Sequence, residues 1–242
     1  MINNDFPFYN AKPIMITKNQ WLFVLSMVAL GASTLLIPFT FFSGDYTQFI
    51  PAVLFFAIPL GALIQVTPQH YKAIFARVHF NDVLYMFGFA LLNLLVSIGV
   101  SLLVTKLFGT NSNPAIAGLV DLTDFEKILF FLKTIPQLFG EEIFTILIFL
   151  ALLSFASNKL NISRKKAILI AWLFSSILFA LIHLPTYNWN FLQCILVIGS
   201  ARMVLTLAYM FSKNIWVSTG THIINDWVIF GIVILGAGVE KI

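Results

Sequence analysis

An all-α, polytopic membrane bundle of seven or eight helices is the fold class this sequence predicts. Three observations point to it. Hydrophobic residues make up 60% of the 242 positions and charged residues only 10%, whereas a soluble domain carries about 25% charged residues. The mean hydropathy is +0.94. The apolar residues also fall in runs of roughly the 20 residues that span a bilayer, separated by short polar breaks. A soluble fold is thereby close to excluded, and the chain has room for seven or eight spans and short loops but for no separate soluble domain.

The runs appear in order as follows. Residues 21–42 form the first expected span, 49–66 the second and 83–104 the third. A polar stretch, 109–126, comes next. Residues 125–135 are apolar but short and carry Lys127 and Lys133. They predict an interfacial or re-entrant helix, or an early start to the next span, broken or kinked by Pro136 because proline lacks an amide donor. The remaining spans are expected at 138–156, 167–184 (ended by Pro185), 191–211 and 216–236. If 125–135 crosses by itself, the count becomes eight and the later spans invert. The chain then divides into a cytoplasmic N-terminal segment (1–20), spans of unassigned role (21–124) and a functional core (125–238).

Charge distribution fits a multi-pass protein of the cell membrane. The net charge is +4, but the basic residues are dispersed over loops, so nucleic acid is not an expected partner. The bilayer is. With the N-terminus inside, Lys12, Lys18, Lys72, Arg77, Lys159, Arg164, Lys165, Lys166 and Lys213 outnumber the outer Lys106, Lys127, Lys133 and Lys241, as the positive-inside rule requires. The Arg164-Lys165-Lys166 cluster suits anionic headgroups. A single cysteine, Cys194, precludes an internal disulfide and lies in an apolar run as a packing residue. No cleavable signal peptide is expected; the first span serves for insertion.

Against this background a few polar residues stand out. Glu141 and Glu142 open a long apolar run, His183 ends another, and His222, Asn225 and Asp226 lie within a third. A charge in hydrocarbon costs several kcal/mol, so such residues mark function. Neighbouring helix positions point about 100° apart, so one glutamate can face a cavity while the other meets a partner helix. His222 and Asp226, at i and i+4, share a face, and Asn225 is a second candidate there. The set suits a glutamate-activated water with His or Asn stabilising an oxyanion. It equally suits a divalent metal such as zinc on Glu141, His183 and His222. Neither a His-Glu-x-x-His nor a Gly-x-Ser-x-Gly motif is present.

Three motifs, in order, resemble the CPBP (CAAX-processing and bacteriocin-processing, Abi) intramembrane proteases. Glu141-Glu142-Ile143-Phe144-Thr145-Ile146 resembles Glu-Glu-x-x-x-Arg, Phe179 to His183 resembles Phe-x-x-x-His, and His222 to Asp226 resembles His-x-x-x-Asn/Asp. The resemblance covers about residues 125–232. It implies a helical bundle around a conical, water-accessible cavity, with Glu141 activating water, Glu142 beside it, and His183, His222 and Asp226 in the active site. It implies a peptide or membrane-associated protein as substrate. One position departs: Ile146 stands where the family has arginine. Arg202, deep in the sixth span, is expected to replace it in space and to pair with Glu142 or Asp226.

The reading is therefore an intramembrane endopeptidase. The alternative is a catalytically degenerate regulator or bacteriocin-immunity protein that binds a partner, which Ile146 favours. A transporter would show an inverted repeat, and none is seen.

Overall fold

The computed structural model describes residues 5–36, 44–158, 160 and 162–239, with side chains through residue 236. Lys159 and Lys241 of the charge count, and the end of the first expected span, lie outside the described residues. Seven helices among those described are long and apolar enough to cross a membrane. They are α1 (Lys18–Ser33, extended by a 3-10 turn to Leu36), α2 (Phe49–Val66), α3 (Phe80–Phe108), α4 (Asp124–Asn158), α5 (Arg164–Ile182), α6 (Phe191–Ser212) and α7 (Ile215–Val239). No strand occurs among the described residues. The polytopic helical bundle expected from the sequence is what folds.

Local chemistry sets the helix limits. Thr17 caps α1 in a capping box with Gln20, satisfying amides that the first turn leaves open. His79 and Asp82 do the same for α3, so α3 begins earlier than the apolar run alone suggests.

In α4 the last of the alternatives expected for residues 125–135, an early start to the next span, is the one found, without the expected break at Pro136. Residues 125–135 are neither a separate interfacial helix nor a re-entrant one. They are the first turns of a single 35-residue helix that passes through Pro136 unbroken. At 1.5 Å per residue this helix is about 52 Å long, well beyond a hydrocarbon core of about 30 Å. Its surplus length accommodates Asp124, Glu126 and Lys127 at one end. From Gly140 to Ala151 every residue of α4 is buried, so α4 is the axis around which the others pack.

That packing depends on two close approaches. A Cβ on Gly140 would lie 2.6 Å from the Phe55 ring of α2, and one on Gly31 of α1 would lie 2.8 Å from the Phe55 carbonyl. Phe55 is fully buried and cannot retreat. Gly140→Ala is therefore expected to destabilise the protein by about 1–3 kcal/mol through overpacking, seen as a lower thermal midpoint in detergent. Since Gly140 adjoins Glu141, activity should fall with it. An unchanged midpoint would show that α2 and α4 are not held this closely.

The N-terminal segment folds under one end of the bundle. Phe6, Phe8, Tyr9 and Ile16 are buried, and the Phe6 ring meets Phe149 of α4 at 5.2 Å and Tyr209 of α6 at 6.3 Å. Asp5 binds Arg164 at the start of α5 through Nη2 (2.6 Å) and Nε (3.2 Å). Burial works against the Asp5 carboxylate, but the Arg164 guanidinium and the Phe6 N–H hold it below its ordinary value. Arg164 is thus committed to Asp5, and the basic cluster offers only Lys165 and Lys166, both exposed, to headgroups.

At the opposite end, the chain after α3 is joined to the loop before α6. The Asn111 N–H donates to Gln193 Oε1 (2.8 Å), Gln193 Nε2 donates to the Asn111 carbonyl (2.9 Å), and Asn111 Nδ2 donates to the Tyr187 carbonyl (3.1 Å).

Candidate active site

Four helices build the site. Glu141 and Glu142 lie at mid-length of α4, His183 follows the last turn of α5, Arg202 lies on α6, and His222, Asn225 and Asp226 lie on α7. In α6 the turn Cys194–Ile198 is a π-helix. A π turn holds one extra residue, which shifts the following helix face by about 100°. Arg202 comes immediately after this shift and is fully buried. Gly199 also allows close approach to α5, since a Cβ there would lie 3.7 Å from Ala180.

The centre of the site is a fully buried ion pair. Arg202 donates from Nη1 to Glu142 Oε1 (2.6 Å) and from Nη2 to Glu142 Oε2 (2.9 Å), the forked geometry that suits a carboxylate. Arg202 Nε donates to the Thr206 hydroxyl (3.3 Å), which itself donates to the Arg202 carbonyl (2.8 Å). The Phe179 ring lies 5.0 Å from the guanidinium carbon. Of the two partners expected for Arg202, it takes Glu142 and not Asp226. Ile146 is fully buried, as an apolar side chain should be at a position that no longer carries the charge.

His222 joins this pair to the second glutamate. Its Nδ1 donates to Glu142 Oε1 at 2.9 Å. Its Nε2 faces Glu141 Oε2 at 3.7 Å and Asp226 Oδ2 at 3.8 Å, so the i,i+4 pair does share a face. Asn225 Nδ2 donates to Asp226 Oδ1 (2.9 Å), while its own Oδ1 is buried with no hydrogen-bond partner among the described residues.

The two glutamates are unlike. Both Glu142 oxygens are held and its side chain is 0% exposed, whereas Glu141 is 10% and Asp226 22% exposed. No hydrogen bond holds the Glu141 carboxylate among the described residues; its backbone carbonyl accepts from Thr145 (3.0 Å).

His183 stands apart from the hydrogen-bonded cluster. Its Nδ1 donates to the Phe179 carbonyl at 2.8 Å, leaving Nε2 as the acceptor of the neutral ring. The Phe179 ring is 4.6 Å from that of His183 and 5.0 Å from the Arg202 guanidinium carbon. Straight spans would set His183 and His222 toward opposite membrane faces.

Residues 124–228 match a family model described as Type II CAAX prenyl endopeptidase Rce1-like. This segment is Rce1-like. It begins with the first residue of α4 and ends two residues beyond Asp226, so it contains every candidate residue named above. The likeness to CAAX-processing proteases carried by the three motifs is thus shown for this segment, which lies in a multi-pass membrane protein. No curated protein and no solved structure matches the chain.

Among the described residues no group of three or more His, Cys, Asp or Glu is arranged to hold a metal ion. Glu142 is committed to Arg202 and His222, and no step is derived through a metal.

Sequence reasoning missed Thr206, which orients Arg202, and Tyr187. Burial pushes the Tyr187 phenol up, and the charges of Asp226 and Glu141 lie within electrostatic reach of it; Asn113 Nδ2 donates to its hydroxyl (3.4 Å). Its position four residues after His183 was the available signal.

Proposed function

We propose that the protein is an intramembrane endopeptidase that hydrolyses a peptide bond of a small peptide or membrane-associated protein with water activated by Glu141. The observation that carries this reading is the asymmetry of the glutamates: one is locked by hydrogen bonds to Arg202 and His222, while its neighbour, with no hydrogen bond to its carboxylate among the described residues, only faces His222 at 3.7 Å. Water gives a proton to the Glu141 carboxylate as its oxygen attacks the carbonyl carbon. His183 Nε2 accepts from the same water and orients it. His222, with Nδ1–H committed to Glu142, donates from Nε2 as the imidazolium to the oxyanion, and Asp226 supports that charge. Glu141 returns the proton to the leaving nitrogen as the C–N bond breaks. Glu142, Arg202 and Asn225 are positioning residues.

The alternative, a partner-binding regulator or bacteriocin-immunity protein without activity, was favoured by Ile146. The guanidinium of Arg202 on Glu142 weighs against it, because the charge absent from position 146 reaches the same carboxylate from α6.

The test is cleavage of candidate peptides, prenylated and unmodified, by the purified protein in nanodiscs. His183→Gln is expected to lower cleavage by about 10²-fold, the low end for a proton-transfer or orienting group, with an unchanged thermal midpoint. A chelator is expected to leave the wild-type rate intact; loss of activity restored by zinc would replace the glutamate-water mechanism with a metal one. If the wild type and His183→Gln give the same phenotype in cells and no cleavage, the binding reading stands instead.

A further inference from the structure

The loop from α2 to α3 folds back against the start of α7 and leaves a groove of about 430 Å³ lined by Tyr71, Lys72, Phe75, Ala76, Arg77 and Trp216. Its chemistry is two-sided. Phe75 and Trp216 form an aromatic floor with ring centroids 5.3 Å apart. Trp216 stacks in turn on Phe139 of α4, at 5.1 Å and 13°. Lys72 and Arg77 are exposed at the rim, and neither has an acidic partner within ion-pair distance among the described residues. Two uncompensated cations are too costly for the hydrocarbon interior. Tyrosine and tryptophan are the side chains that settle at headgroup level. The loop joins the ends of two spans, which places the groove at a lipid–water boundary.

We propose that this groove binds one anionic phospholipid, its phosphate between Lys72 and Arg77 and the first carbons of an acyl chain on Phe75 and Trp216. Charge complementarity selects an anionic over a zwitterionic headgroup, and the aromatic floor selects a ligand with an apolar body over free phosphate. The site bears on the reaction centre without belonging to it. Phe139 precedes Glu141 by two residues, and Trp216 precedes His222 by six, so the bound lipid braces the two helices that present these side chains. The lipid site does not depend on the protease reading.

The experiment is native mass spectrometry of the full chain released from nanodiscs of phosphatidylcholine with a minority of phosphatidylglycerol. The wild type should retain one phosphatidylglycerol in preference to phosphatidylcholine. Lys72→Gln/Arg77→Gln should lower that retention about thirtyfold, the worth of two cations near an anionic surface. Lys165→Gln/Lys166→Gln should leave it unchanged, and so should the charge-conserving Lys72→Arg/Arg77→Lys. Thermal unfolding in pure phosphatidylcholine checks that each variant is folded; if the Gln double variant is not, the single variants are read instead, each with about a fivefold loss. Equal retention of the two lipids, or equal losses from the two Gln double variants, would overturn the proposal in favour of diffuse surface charge.

Discussion

Glu141→Gln is expected to lower the rate of peptide cleavage by about 10²–10⁴-fold, the range for removal of a general base, while the protein remains folded. Glutamine has the shape of glutamate and keeps its place on α4, but it cannot take a proton from water. The substitution should cost little stability. Among the described residues no hydrogen bond holds the Glu141 carboxylate, and its ion-pair contact, His222 Nε2, is 3.7 Å away. The hydrogen bond from His222 to Glu142 is left intact. The measurement pairs cleavage rate with thermal midpoint in the same nanodiscs. Glu142→Gln is the informative contrast, because it should lose both: Arg202 would be left buried without its counter-charge. A Glu141→Gln protein that cleaves at the wild-type rate would remove Glu141 from the chemistry.

Arg202→Met should destabilise the fold by about 3–5 kcal/mol, the cost of leaving one member of a buried ion pair uncompensated. Methionine fills much of the volume, so the loss is electrostatic rather than a cavity effect. Glu142 would lose both of its guanidinium bonds and keep only His222. The pair itself adds little net stability, since desolvation offsets most of the attraction. The neutral double variant Glu142→Gln/Arg202→Met should therefore recover much of what the single variant loses, without recovering activity. Arg202→Lys should not restore the wild type, because an ammonium cannot make the fork. Equilibrium unfolding of the four proteins decides it. A double variant no more stable than Arg202→Met would mean that the two side chains are not coupled.

The legible parts of this protein were the local ones. Phe49–Val66 was bounded correctly from hydropathy alone; α4 begins 14 residues before the expected span, and the described limits of the others shifted by a few residues, because caps such as His79 and Asp82 extend a helix past its apolar run. Residues 125–135 were ambiguous for a physical reason. Pro136 removes one amide donor wherever it stands, but a long helix whose later turns are buried on all sides tolerates that loss. Hydropathy does not report how strongly the rest of α4 is held. Thr206 was invisible because a threonine in a helix carries no signal until its neighbours are known, and Tyr187 offered only its spacing from His183.

By itself the sequence determined that the chain is a helical membrane protein. It also determined that His222 and Asp226 share a helix face and that acids and histidines lie at depths where hydrocarbon penalises them, since each of these depends on a window of a few residues. Only the tertiary structure decided which acid Arg202 meets, and which glutamate is left open. The contact joins residues 60 apart in the chain, and its formation depends on the phase of α6 after its π turn and on how α4, α6 and α7 cross. Glu141 and Glu142 are neighbours of identical chemistry; the roughly 100° between them on the helix acquires meaning only once Arg202 and His222 occupy one side and leave the other open.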